Sequence, residues 1–366
     1  MFLNTLNIII NSLQKTPLKN KPILFLNGAI PGSDAGPKVK VARLKSLFKT
    51  SRLKPNIFYC LSNCIYSSNN IIKKYVKFKI PIIYNQNGIF HKYWYHGNVN
   101  VRNNKMKFYL QNSDYVFYQS KFCKRCCDEN IFKRTQNYKI LYNAVDTNIF
   151  RPGKVLNTSH ISVLKIGTYT QRNLWRLVDT IETIQKINQI GYLKYKLSIV
   201  GFIDNEIKKI VNNLIQGYEL DEDIFLLGKK SQDEIVGIMQ KHMIFLTTKL
   251  HDPCSNAVIE AMACGLPIIF HNSGGNFELV NDAGWGYGKK QKSISKIISE
   301  KNDLLLEFKK ITKEEILNKS KLARYRAVKY FDISKWEKEH IKVFNYFLEK
   351  FNNNKNKLRS LNIKDE

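Results

Sequence analysis

A rhythm constrains this chain more than any single residue. Short apolar runs rich in Ile, Val, Leu and aromatic residues alternate with amphipathic stretches over most of the sequence. Strand-length apolar runs separated by helices are the pattern of an α/β protein with parallel sheets. The first series predicts strands at 22–27, 56–61, 80–84, 115–118 and 139–142. Between them fall a glycine loop at 28–37, a helix from Lys38, a polar loop at 85–100, and helices near 101–111 and 121–129. A connector at 143–152 and a polar stretch at 153–160 lead into the second series. There the strands are predicted at 161–167, 197–201, 224–227, 243–247 and 267–270. The helices alternating with them are placed at 172–190, 205–216, 232–241 and 255–263, with a short one from Asn276. Each unit is a strand feeding a helix, so two facing Rossmann-like domains are expected, at 1–152 and 153–330. Residues 331–366 form a last segment, its helix packing back across the domains: Trp336, Val343, Phe344, Phe347 and Phe351 share one side and must dock. The polar end from Asn352 is expected to fray.

Composition removes several classes. With 366 residues and 43% hydrophobic content, two cores are sustainable and wholesale disorder is excluded. No window approaches the roughly 18 apolar residues a membrane span needs. The first residues lack a basic leader with a small-residue cleavage site, so no secretory signal is expected. Seven cysteines, an odd number, favour reduced thiols and a cytoplasmic location. Of these, Cys123-x2-Cys126-Cys127 and Cys60-x3-Cys64 could in principle assemble a zinc site, but the first set lies on a predicted helix without nearby His. No metal site is expected from them.

The formal net charge is +29. Such a balance fits a polyanionic partner, or a habit of composition spread over solvated faces. One segment is more pointed. From Lys38 to Lys54 the chain has basic residues at 38, 40, 43, 45, 49, 52 and 54 and no acid. Val41, Leu44 and Phe48 fall at helical spacing, with Lys38, Lys45, Lys49 and Arg52 on another face. A basic amphipathic helix of this kind reads as a peripheral contact with an anionic membrane at the inner face. No zinc-finger spacing, RNA-binding signature or recognition helix accompanies it, and no nucleic acid is expected as partner.

The sharpest constellation runs from His251 to Pro267. A strand ends near Thr247, a loop turns, and a helix begins at Ser255 or Asn256, both good N-cap types. Small residues there let a ligand approach the backbone, and the first free N–H groups suit a phosphate. Asp252 and Glu260 bracket that point; a carboxylate beside a phosphate serves best by accepting from hydroxyl groups, such as those of a ribose or a sugar. A capped amphipathic helix with an incidental acid would look the same.

The run Asp252-x7-Glu260, then Ala-Met-Ala-x-Gly-x-Pro and Gly274-Gly275-Asn276-Phe277-Glu278, resembles the signature of group 1 glycosyltransferases, the large retaining family 4 with the GT-B fold. Tyr115 to Lys124 is similar to the family's last acceptor-domain strand and helix. Leu141 to Pro152 is similar to its interdomain segment, with Ala144 in place of Gly. The resemblance implies transfer of a sugar from a nucleotide-sugar donor (UDP- or GDP-linked) to a glycan, lipid-linked or small-molecule acceptor, with retention. It places Glu260 on the nucleotide ribose. Cys254, Ser255, Asn256 and Ala257 fall in the turn cradling the distal phosphate, and Asp252 stands near the donor sugar where the family has Glu. Gly32 and Ser33, with Gly36, fall in the first glycine-rich loop, which in the family faces the donor phosphates.

The departure lies after Gly167. The family offers an Arg soon after this glycine and a Lys further on; here Gly167-Thr168-Tyr169-Thr170-Gln171-Arg172-Asn173 leaves Arg172 to replace both, or to be an ordinary surface Arg. Asn87 and His91 follow a first-domain strand where the family places a polar group near the reacting sugar; a loop-stabilising turn explains them equally. The chain is read as lacking the Asp-x-Asp metal pair of the other main glycosyltransferase fold, and neither metal nor cofactor is expected. A non-catalytic protein of the same fold and a basic nucleic-acid-binding module stand as the alternatives.

Overall fold

The computed structural model describes residues 21–362 apart from 29, 33–35, 63–67, 155–158, 192 and 296–299. Its contacts divide the chain into two compact units, residues 1–142 with 334–366, and residues 143–333.

In the first unit the order is β1 (Ile23–Asn27), α1 (Gly36–Leu47), β2 (Lys49–Thr50), β3 (Ile57–Leu61), α2 (Asn69–Lys77), β4 (Ile82–Gln86), α3 (Val99–Gln111), β5 (Tyr115–Tyr118), α4 (Lys121–Asn130) and β6 (Tyr138–Ile140). Six parallel strands pair in the order β2-β1-β3-β4-β5-β6. Strands β3 and β4 are buried throughout; β3 reads as an unbroken apolar run, and β4 does so up to Asn85 and Gln86 at its carboxyl end. The final helix, α12 (Ile333–Asn362), belongs to this unit from Ser334 onward. Its apolar side meets the sheet through aromatic contacts: Phe344 with Phe48 and Tyr59, Phe347 with Tyr115, and His340 with Phe117. The helix runs to Asn362, beyond the point at which the sequence suggests fraying.

The second unit continues with β7 (His160–Tyr169), a single 3-10 turn (Gln171–Asn173), α5 (Trp175–Ile190), β8 (Lys194–Ile203), α6 (Asn205–Gly217), β9 (Ile224–Gly228), α7 (Gln232–Met239) and β10 (Ile244–Thr247). Then come α8 (Asn256–Ala263), β11 (Ile268–His271), α9 (Asn276–Val280), β12 (Gly284–Tyr287), α10 (Lys301–Lys310) and α11 (Lys313–Arg326). These strands are also parallel, in the order β12-β11-β10-β7-β8-β9. The core joins Ile161, Val163, Leu177, Ile181, Leu197, Ile199, Ile244 and Leu246.

The division falls before the expected boundary at 152 because the connector is bonded into the second unit. Asn143 binds Cys254, Val145 bridges to Asp332, and the Arg324 guanidinium donates to the carbonyls of Thr147, Phe150 and Ala263. The basic segment also departs from expectation. It is not one helix from Lys38 to Lys54: α1 stops at Leu47 and Lys49 starts a strand. Lys40 is buried with Val41 and Leu44, whereas Lys45, Lys49, Arg52 and Lys54 are exposed. Among the described residues no helix is long and apolar enough to cross a membrane.

Candidate functional site

In an open parallel sheet, ligands bind at the carboxyl ends of the strands where the strand order reverses. In the second sheet that point lies between β7 and β10, since the chain moves outward from β7 through β8 and β9 and then returns to β10. On the other side of β7, β7 and β8 approach closely: a Cβ on Gly201, whose φ is +126°, would sit 1.8 Å from the Gly167 carbonyl oxygen. Only glycine fits.

The loop after β10 carries Thr248 to Ser255, and α8 follows. Ser255 is the N-cap: its hydroxyl accepts from the Val258 amide at 3.5 Å. Among the described residues no acceptor meets the amides of Asn256 and Ala257, as at any helix start. Asp252 is buried and holds the turn, its Oδ1 accepting from the Cys254 amide at 3.1 Å and its Oδ2 pairing with Lys249 at 2.9 Å. The Cys254 amide is therefore occupied. Its thiol accepts from Asn143 N at 3.2 Å and its carbonyl from Asn143 Nδ2 at 2.7 Å. Glu260 lies half-buried one turn into α8.

A second loop braces the first. The Asp252 carbonyl accepts from the Gly275 amide at 2.7 Å, and Ser273 Oγ from the His251 amide at 3.1 Å. His271, at the end of β11, shares a hydrogen bond between Nδ1 and Ser273 Oγ at 2.8 Å and one between Nε2 and Glu300 at 2.6 Å. Burial lowers the pKa of both His251 and His271. Asn276 is fully buried, and its carboxamide has no partner among the described residues. The Gly274-Gly275-Asn276 motif singled out this loop, though nothing in it marked Asn276 as a polar group in reserve.

Arg172 lies exposed in the 3-10 turn rather than in the first turn of α5, and no described residue bonds its guanidinium. Two cations that sequence reasoning missed lie deeper. Lys165 Nζ donates to Thr248 Oγ1 at 2.6 Å and Arg176 Nε to the same oxygen at 3.3 Å. Both are buried, and Arg176 lies 5.5 Å over the Tyr169 ring. A Lys inside an apolar strand run was the available signal. An Asp-x-Asp triplet does occur, Asp221 to Asp223, contrary to the reading of the sequence. It sits at the amino end of β9, where Asp223 accepts from Asn188 at 3.1 Å and pairs with Lys194 at 3.1 Å. That is the end of the sheet away from the crevice.

The loop and helix just described lie within a segment of known kind. Residues 152–319 match the family of glycosyl transferases group 1. An uncharacterized glycosyltransferase of Methanocaldococcus jannaschii is 28% identical over 177 residues, 48% of this chain and 45% of the relative. The N-acetyl-alpha-D-glucosaminyl L-malate synthase of Bacillus anthracis is 24% identical over 191 residues, 50% of this chain and 48% of the enzyme. The matches thus span about half the length of these relatives. Among solved structures, Anabaena HepE in complex with UDP superposes with a TM-score of 0.67 at 13% identity, covering 89% of this chain and 100% of that one. Sucrose-phosphate synthase from Thermosynechococcus elongatus gives 0.67 at 16% identity, covering 86% and 77%. The two Rossmann-like sheets are therefore those of the GT-B fold.

The first unit has its own polar cluster at the carboxyl end of β4. Asn87 Oδ1 accepts from Lys40 Nζ at 3.1 Å and Gln119 Nε2 at 2.7 Å, and the Asn87 amide donates to Ser62 Oγ at 3.0 Å. Lys40 also donates to Asn85 Oδ1 at 2.9 Å. His91 is half-buried and its carbonyl closes the turn to Trp94 and Tyr95. Gly32 is half-buried, its amide 3.3 Å from the Lys38 carbonyl. Ser33 and Cys64 lie outside the described residues. Cys123, Cys126 and Cys127 are buried on α4 and form no disulfide among the described residues, and burial pushes the thiols of Cys123 and Cys127 up, the latter to about 12.

Proposed function

We propose that this protein is a nucleotide-sugar-dependent glycosyltransferase of the retaining family 4. The observation that carries this reading is the start of α8. A capped helix opens at the strand-order reversal, with an acid one turn in, inside the segment that matches the family. In this reading Glu260 accepts from the ribose hydroxyls. The amides of Asn256 and Ala257 hold the distal phosphate with Arg172, beside Gly167, and Asp252 lies toward the hexose. Breaking the glycosyl–phosphate bond leaves negative charge on the departing diphosphate. Fixed N–H dipoles and guanidinium meet that charge without reorganising, so the reading calls on no metal ion. Asn87, His91, Gly32 and Ser33 belong to the acceptor-side unit, whose partner is a glycan or lipid-linked acceptor.

The exposed Lys45, Lys49, Arg52 and Lys54 support a peripheral contact with an anionic lipid surface at the cytoplasmic face. Flotation with anionic vesicles at low and high salt tests that contact. The main test is a thermal-shift screen with UDP, GDP and ADP and their sugars, followed by release of the nucleotide from the sugar that stabilises most. The UDP-bound Anabaena structure makes UDP the first arm. Stabilisation by one nucleotide with turnover of its sugar is expected; no stabilisation by any of them refutes the reading.

A further inference from the structure

Two buried cations share one oxygen beneath the crevice. Lys165 comes from the interior of β7, Arg176 from the first turn of α5, and Thr248 is the residue after β10. Their meeting at Thr248 Oγ1 therefore straddles the strand-order reversal, four residues ahead of Asp252 in the same loop. Like charges removed from water are costly unless an anion compensates. Asp179, one turn along α5, is the acid whose field reaches Lys165. The Tyr169 ring lies against Arg176, and buried Tyr287 lies in the field of Arg176, Asp179 and Glu300. With Lys165 protonated, two cations would face one carboxylate among the described residues. Burial, and after it Arg176, hold the pKa of the Lys165 amine well below the ordinary lysine range.

We propose that Lys165 and Arg176, joined through the Thr248 hydroxyl, are positioning residues that set the loop and the field for a nucleoside diphosphate at this crevice. This rests on the donor site proposed above, but moves most of the charge from exposed Arg172 to groups under the floor. Neither cation touches the ligand; Thr248 connects them to the loop that precedes α8. When the diphosphate arrives, its charge favours the ammonium, so binding is coupled to uptake of at most one proton by the Lys165 amine. Affinity then strengthens as pH falls, by at most about tenfold per unit.

Calorimetric titration of the full chain with UDP, GDP, ADP and inorganic pyrophosphate tests this, in two buffers of different ionisation heat near pH 8. The wild-type chain is expected to take up a proton on binding. Lys165→Met is expected to bind at least tenfold more weakly with no uptake. Lys165→Arg restores affinity without uptake, because a guanidinium stays charged. Thr248→Val, similar in shape, keeps both cations and severs the connection, so it also weakens binding at least tenfold. Lys165→Met binding within twofold of wild type, or no proton uptake by the wild type, overturns the proposal. Should Lys165→Met fail to fold, unchanged affinity in Thr248→Val overturns it. A wild-type chain that binds none of the four probes refutes the donor-site reading itself, which is a different result.

Discussion

Gly274→Ala is the sharpest perturbation of the candidate site, and the structure supplies its own control. Gly274 has φ +89° and Gly191 has φ +88°, so an Ala at either pays the same left-handed strain, about 1–2 kcal/mol. The surroundings differ. Around Gly191, which ends α5, nothing lies within 4 Å of an added Cβ. At Gly274 that carbon would sit 2.6 Å from the Asp252 carbonyl oxygen and 2.8 Å from the Asp252 amide nitrogen. Both are backbone atoms, so the loop itself must move, by most of an ångström. The Gly275 hydrogen bond to that carbonyl goes with it, a further loss of about 0.5–1.5 kcal/mol. Gly274→Ala should therefore destabilise by about 2–4 kcal/mol and Gly191→Ala by about half that or less. Function should separate them further. A misplacement near 1 Å can cost about 100-fold in rate, so turnover should collapse in the first variant and hold in the second. Denaturant unfolding and nucleotide titration of both chains measure this. Equal stability and equal nucleotide affinity in the two variants would refute the claim that Gly274 sets the Asp252 loop.

Glu260→Ala should weaken nucleotide binding by about 1.5–3 kcal/mol, the range for lost charge-assisted hydrogen bonds, and unchanged affinity by calorimetry argues against a ribose contact. Arg172→Ala should lower turnover while leaving the melting temperature within a degree or two, because the residue is exposed; equal activity at saturating donor returns it to the surface. His340 is fully buried between Trp336, Tyr59, Phe117 and Phe344, and burial lowers its pKa from 6.5 to about 3. A depressed value means the unfolded chain binds the proton first, so stability is complete above 6.5 and is lost as pH falls below it. Between pH 7 and pH 5 the loss is about 2 kcal/mol. Urea unfolding at both pH values should show a loss larger by that amount in the wild type than in His340→Phe, since buried His251 and His271 add the same pH dependence to both chains.

Much of the fold is visible in the sequence because it depends on local pattern. The buried strand β3 is apolar from end to end, β4, β10 and β11 are apolar up to the polar residues at their carboxyl ends, and Ser255 marks the start of α8 by residue type alone. What escaped depends on distant contacts. Strand β12 reads Gly-Trp-Gly-Tyr, which resembles a turn; yet a Cβ on Gly284 would lie 2.1 Å from the Ile268 carbonyl, so the glycine is what lets the strand pair with β11. The connector's membership in the second unit rests on Arg324, nearly two hundred residues along the chain from Thr147. The seating of α12 on the first sheet is a matter of aromatic rings meeting in space, which its own periodicity shows only as a face in need of a partner.

The charged residues make the same point more strongly. The net charge of +29 suggests a solvated, basic surface, and for Lys45 or Arg52 that is where the charge lies. The cations bound into polar networks at strand ends are different ones. Lys40 sits inside a helix that reads as basic throughout, yet it is buried against Asn85 and Asn87 at the carboxyl end of β4. Lys165 breaks an apolar run and is buried against Thr248 beside β10. Removing a lysine from water costs several kcal/mol, so its neighbours must supply acceptors, and those neighbours come from other strands. Periodicity assigns a residue to a face; only the strand order says that two such faces end at a crevice. Hence Arg172, next to the expected glycine, stood out in the sequence, while Lys165 and Arg176 became visible only when β7 and β10 were placed side by side.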